Sequence, residues 1–86
     1  MYTIKLHKRV IKFLNTRPPK DKARIKKRFE QLMQNPYPDN IRVDIRKMTN
    51  RPGFRLRVGD YRFLYDVDDG ELTIYMDDAD NRGDIY

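Results

Sequence analysis

Arginines stand at positions 55, 57 and 62 within the stretch RPGFRLRVGDYRFLYDV, residues 51 to 67. On the two-residue period of a strand, Arg55 and Arg57 share one face while Phe54, Leu56 and Val58 take the other. Guanidinium groups crowded in this way repel one another until an anion arrives, and arginine does not relieve the repulsion by giving up its proton. The chemistry open to the patch is the gripping of phosphate or carboxylate, or the stabilisation of negative charge that builds on phosphoryl oxygens during transfer. Arg46, Lys47 and Arg51 stand just upstream, placed to meet further phosphates of a polyanion.

Such a patch needs elements that hold it, and the rest of the chain supplies a consistent order. YTIKL, residues 2 to 6, alternates as a short strand does. Val10, Ile11, Phe13 and Leu14 fall at helical spacing, and RPP at 17 to 19 ends that helix. A second helix opens near Pro18 or Pro19, carries Ala23, Ile25, Phe29, Leu32 and Met33 as its apolar stripe, and stops at NPYP, residues 35 to 38. Strands are expected over roughly 43 to 48, 53 to 58, 61 to 67 and 71 to 77, with VGD at 58 to 60 and DDG at 68 to 70 as tight turns. The class is therefore α+β, an N-terminal strand and two-helix hairpin packed on a mainly antiparallel sheet of four to five strands. A hairpin through Gly59 puts Phe54, Leu56, Val58, Tyr61, Phe63, Tyr65 and Val67 against the helices and Arg55, Arg57 and Arg62 on the other face, with Leu64 beside them. Leu72, Ile74 and Met76 are expected to share one face of the last strand. Tyr61, Phe63 and Tyr65 read as core by their alternation with Arg62, and His7 reads as a surface or capping residue.

Composition limits what the anion is. Eighty-six residues make one domain, in which a deep small-molecule pocket has little room, and charged residues reach 37%. There is no cysteine and one histidine, so neither a disulfide framework nor a Cys/His zinc site is available, and no metal site is expected. No apolar run approaches the roughly 20 residues of a membrane span, and MYTIKLHKRV lacks the apolar core of a secretory signal, so a soluble cytoplasmic protein with no membrane partner is expected. The net charge of +6 conceals a division: residues 1 to 62 hold 18 of the 19 Lys and Arg against five acids, while residues 63 to 86 hold eight acids against Arg82. The basic part suits a nucleic-acid backbone. Lysines 20 to 28 also serve as the polar face that a surface helix needs, and Lys26 and Lys27 add phosphate contacts at most.

FRLRVGDYRFLYDV, followed by a further strand and then NRGDIY, all after two N-terminal helices, resembles the RelE/ParE superfamily of toxins from bacterial and archaeal toxin-antitoxin pairs. The resemblance runs over essentially the whole chain, residues 1 to 86 as a single RelE-like domain, and is most specific at R-x-R-x-G-D-Y-R and R-G-D-I-Y. The RelE branch cleaves messenger RNA in the ribosomal A site, the ParE branch inhibits DNA gyrase, and a cognate antitoxin blocks either one. The resemblance thus implies no cofactor, a small acidic helix-rich antitoxin in a toxin-antitoxin hetero-oligomer, and the ribosome with its messenger as target.

For the RelE-like reading the resemblance implies a catalytic set of Arg55, Arg57, Arg62, Arg82 and Tyr86, with Arg46, Lys47, Arg51, Lys26 and Lys27 contacting RNA or ribosome. The reaction expected without a metal is attack of a 2′-hydroxyl on the adjacent phosphate, which needs cationic donors, a proton acceptor and a proton donor. The sequence departs from the best-known bacterial RelE toxins in having arginine, not lysine, at 55 and 57, and asparagine at 81 where some relatives carry histidine. Arginine is almost never a base, so the candidate bases are Tyr86, Asp77, Asp78 and Asp80, each acid having ion pairing with a neighbouring arginine as its alternative. Two other readings stand beside this one: a ParE-like gyrase inhibitor, and a catalytically silent basic module that binds RNA or a partner.

Overall fold

The computed structural model describes residues 1–39 and 44–81. In chain order the elements are β1 (Thr3–Leu6), α1 (Lys8–Asn15), α2 (Pro19–Gln34), β2 (Ile45–Lys47), β3 (Phe54–Val58), β4 (Tyr61–Asp68) and β5 (Thr73–Asn81). His7 does cap α1: its Nδ1 accepts the backbone N–H of Arg9 at 3.2 Å. Thr16 closes that helix by returning its own N–H to the last turn, and Pro19 then opens α2, in a first turn where a missing N–H costs nothing. Ile25 and Leu32 are buried along α2, with Phe29 half-buried between them. Ala23, expected in the same stripe, is exposed. At about 100° per residue it lies some 200° around the helix from Ile25, on the far side of the seam.

The five strands form one sheet in the order β1-β5-β4-β3-β2. Pairings are antiparallel except β1 with β5, because the chain leaves one edge strand, crosses over both helices and re-enters at the other edge. Both helices cover one face. Phe63, wholly buried at the centre, receives the ring edges of Phe13 and Phe29 at 5.9 and 5.0 Å between centroids, and Leu56, Val58, Tyr61, Tyr65, Ile74 and Met76 complete the inner layer. The β3–β4 hairpin turns on Gly59 at φ +60, and an added Cβ there would strike the Arg24 guanidinium. Among the described residues no helix is long and apolar enough to cross a membrane.

β5 departs from its expected span and pattern. It begins at Thr73, runs to Asn81, and leaves Leu72 in the preceding turn at φ +51, exposed and outside the inner face. Its ladder with β4 slips between Leu64 and Tyr65: Tyr65 pairs with Met76, but Leu64 pairs with Asp78, so Asp77 is the extra residue of a bulge. The slip inverts the alternation. Ile74 and Met76 point inward before it, Ala79 faces the core opposite Phe63 after it, and Asp78 and Asp80 turn to the face opposite the helices.

A polar clasp closes the end of the molecule beside the β4–β5 turn. The hydroxyls of Tyr2 and Tyr37 both donate to the carboxylate of Asp69 at 2.5 Å, and the Tyr65 hydroxyl donates to the Pro36 carbonyl at 2.6 Å. Tyr37 in turn meets the ring of Phe54 edge-on. These contacts tie the N-terminus and the α2–β2 link to the sheet. The two tyrosine hydroxyls hold Asp69 below the usual aspartate pKa, and they are themselves pushed up by the same bonds. A depressed carboxylate stabilises the fold above its unfolded pKa, and that contribution is lost as pH falls through the folded value. Thermal unfolding should therefore show Asp69→Asn less stable than the parent at neutral pH, with the gap closing below about pH 3.9; a gap that is constant with pH would contradict the clasp.

Candidate nucleic-acid interface

The face opposite the helices carries two rows of arginine. β2 and β3 place Arg46 directly opposite Arg55, and β3 and β4 place Arg57 directly opposite Arg62. Continued across the sheet, the first row reads Arg46, Arg55, Leu64, Asp78 and the second reads Arg57, Arg62, Asp80. Arg46 and Arg57 are exposed, and Arg55, Arg62 and Leu64 are half-buried. Alternation brings the three expected arginines together here because Leu56, Val58, Tyr61 and Phe63 occupy the core. Like charges directly opposite destabilise a sheet, so the rows exist at a cost in stability.

The β5 bulge supplies part of the compensation. Asp80 meets Arg62 fork to fork, receiving Nε at 3.0 Å and Nη2 at 2.9 Å on its two oxygens. That arrangement fixes the guanidinium plane. Asp77, the bulge residue, accepts Arg51 Nη2 at 2.8 Å and so anchors the β2–β3 loop to β5. Asp78 accepts the N–H of Ala79 at 2.9 Å. The acids proposed as bases are thus engaged locally, with both Asp80 oxygens committed to one arginine.

Other expected contacts lie elsewhere. Lys47 pairs with Phe54 and so alternates away from Arg46 at the exposed end of the edge strand, although it lines one shallow depression with Arg46 and Arg55. Lys26 and Lys27 are exposed on α2, in the layer across the sheet from the arginine rows. Lys26 rims an apolar recess of about 540 Å³ between the helices and β1, floored by Ile4, Leu14, Ile25, Phe29 and Met33. Arg82 and Tyr86 lie outside the described residues, and Asn81 ends β5 opposite Tyr61.

Tyr61 points to the helices, where its hydroxyl donates to Asp21 at 2.5 Å and its ring lies under Arg17. The bond to Asp21 raises the Tyr61 pKa, which suits a structural donor and not a base. This contact is not legible in the sequence, whereas the ion pairing expected as the alternative role of the acids is what the structure gives for Asp80 with Arg62 and Asp77 with Arg51. The fork depends on the bulge, whose one visible signal was the run of adjacent acids at 77 and 78. Among the described residues, no three His, Asp or Glu side chains cluster as a metal site would require.

The comparisons agree with this architecture. The family described as "ParE toxin of type II toxin-antitoxin system, parDE" matches residues 4–77. RelE1 of Methanocaldococcus jannaschii, described as a toxin, is 33% identical over 67 residues, which cover 77% of this chain and 73% of that protein. The archaeal RelE–RelB complex of Pyrococcus horikoshii superposes with a TM-score of 0.81 at 29% identity, over 95% of this chain and 96% of the other. The toxin-antitoxin complex RelBE2 of Mycobacterium tuberculosis gives 0.76 at 26% identity, over 94% and 98%. The chain belongs to the RelE/ParE superfamily of toxins of type II toxin-antitoxin systems. Within it the chain is of the RelE-like branch, the branch of the relatives it matches in sequence and in structure.

Asp80 offers a direct test of the charge arrangement. Its pair with Arg62 is 51% exposed on the acid side and 26% on the arginine side, so its loss should cost less than about 1 kcal/mol of stability. Asp80→Ala should nonetheless bind a polyanion such as heparin more tightly and elute from it at higher salt, since one competing carboxylate is gone. Unchanged or earlier elution would show that Asp80 does not temper the arginine face.

Proposed function

We propose that this protein is a metal-independent endoribonuclease that cuts messenger RNA in the ribosomal A site. The observation that carries the reading is the pair of opposed arginine rows on the face away from the helices, one arginine being aligned in advance by a bidentate carboxylate. Attack of a 2′-hydroxyl on the neighbouring phosphate builds charge on the non-bridging oxygens. Arg55, Arg57 and Arg62 are the donors to that charge, and preorganised donors are worth most where the site costs little to rearrange. Arg82 joins them by its match to the family's C-terminal motif. Asp80 holds Arg62 and Asp77 holds Arg51, which favours ion pairing over base chemistry for these two acids and leaves Tyr86 and Asp78 as the candidates for proton transfer. Arg46 and Arg51 steer the RNA strand, and Lys47, Lys26 and Lys27 contribute charge to ribosome approach.

The same face is where a cognate antitoxin acts. The P. horikoshii and M. tuberculosis relatives are toxin-antitoxin complexes, and we assign this chain a small, acidic, helix-rich antitoxin in a cytoplasmic hetero-oligomer. Acidic side chains would neutralise the arginine rows, and half-buried Leu64 offers an apolar contact between them.

Purified protein should be added to ribosomes holding a defined codon in the A site, and the message then mapped for cuts and end groups. The expected products are fragments cut within that codon, ending in 2′,3′-cyclic phosphate and 5′-hydroxyl. Intact message at saturating protein would overturn the nuclease reading. If the protein instead blocked supercoiling by gyrase, the ParE reading suggested by the family description would replace it.

A further inference from the structure

The face opposite the helices is divided in sign along β4. Arg46, Arg55 and Arg57 stand on β2 and β3, to one side of that strand, while Asp78 and Asp80 stand on β5, to the other. β4 runs between them and shows Arg62, half-buried Leu64 and exposed Asp66 on the same face. Arg55 and Asp78 thus flank Leu64 in one row, and Arg57 and Asp80 flank Arg62 in the next, each about 4.8 Å from the central strand.

A surface divided in this way is complementary to itself. A two-fold axis that lies in the plane of the contact and along β4 carries β3 of one copy onto β5 of the other. Arg55 then lies over Asp78 of the second copy and Arg57 over Asp80 of the second copy, and each of these pairings occurs twice. Leu64 meets its own copy near the axis as an apolar centre. Arg62 meets its own copy as well, but each arrives with the bidentate Asp80 carboxylate that offsets the repulsion. A carboxylate has roughly four acceptor sites, enough for an arginine from each side. The two β4 strands run in the same direction, which permits the aligned packing of a sandwich, at about 30° and with the sheets about 10 Å apart.

We propose that this chain forms a reversible homodimer through the face of the sheet opposite the helices, with the two-fold along β4, and that the dimer covers the arginine rows whenever no other partner holds them. Each copy carries a net charge of +6, yet at physiological ionic strength the repulsion between the two bodies is screened over about 8 Å, and pairs in contact are screened much less. The molecule measures 33 × 23 × 23 Å, so one face offers no more than about the 800 Å² per partner of a standard interface, and the association is a weak one. The contact needs only the pattern of charge about Leu64, so it stands or falls apart from the ribonuclease reading.

Sedimentation equilibrium of the full chain, run from about micromolar to about millimolar protein, tests this. The weight-average mass should climb from that of one chain toward that of two, and the mass of one chain throughout would overturn the proposal. Arg55→Asp and Asp78→Arg should each weaken the dimer at least about tenfold, because like charges are then opposed and the two-fold makes each substitution strike twice. An equimolar mixture of these two variants should associate with close to the parental affinity, since every reversed charge then meets its reversed partner. Such recovery also shows that neither single loss comes from misfolding. Single variants that associate as the parent does, or a mixture that stays monomeric, would overturn the contact. Leu64→Lys, which puts like charges on the axis, should abolish the dimer, and Lys26→Ala on α2 should leave it unchanged. The opposite pattern would place the contact on the helix layer and contradict the proposal.

Discussion

Four guanidinium groups occupy one face of a five-stranded sheet, two directly opposed pairs in adjacent rows, and their mutual repulsion is the constraint that the rest of the structure answers. The other face answers it with apolar packing. Phe63 lies at the centre of that layer with aromatic edges from both helices against it, and a fully buried phenylalanine contributes about 1.5–3 kcal/mol relative to an exposed one. Arg28, half-buried on α2, pairs with Asp44 at the entry to β2 and helps hold that short edge strand where Arg46 can face Arg55.

The bulge in β5 answers the same constraint electrostatically. Without the extra residue at Asp77, the alternation set by Ile74 and Met76 would put Asp78 and Asp80 on the core side and Ala79 among the arginines. With it, Asp80 reaches the Arg62 fork and Asp77 reaches Arg51. One inserted residue therefore both braces an arginine at the site and fixes the loop that borders the other row. Such a face has to stay charged enough to hold an anion and stable enough to fold, and partial internal neutralisation serves both ends.

How far the sequence could be read follows from the same physics. β3 and β4 are legible because one face of each is buried, so Phe54 to Val58 and Tyr61 to Val67 carry an apolar residue at every second position, Leu64 being the one apolar residue on the other face. β5 is not, since a bulge removes the period on which the reading depends and Leu72 mimics a strand residue while sitting in a left-handed turn. Alanine carries no signal of side, so Ala23 fits the helix stripe by residue type while standing outside it, whereas Ile25 and Leu32 mark the buried seam. The arginines at 55, 57 and 62 are visible as a cluster and the acids at 77, 78 and 80 as possible partners, but which acid meets which arginine is not, because pairing across β4 and β5 is decided by register and not by spacing along the chain.

The central claim is that the arginine face stabilises charge in the transition state and does more than dock RNA. Single-turnover cleavage on saturated ribosomes separates the two. Arg62→Lys keeps the charge but removes the planar fork, and loss of one such donor should slow the reaction about 10²- to 10³-fold. Lys26→Ala, on the helix layer, should bind more weakly and, once saturated, cleave at nearly the parental rate. Equal losses of rate in both variants, or a loss confined to affinity in Arg62→Lys, would show that the face is a docking surface and contradict the account.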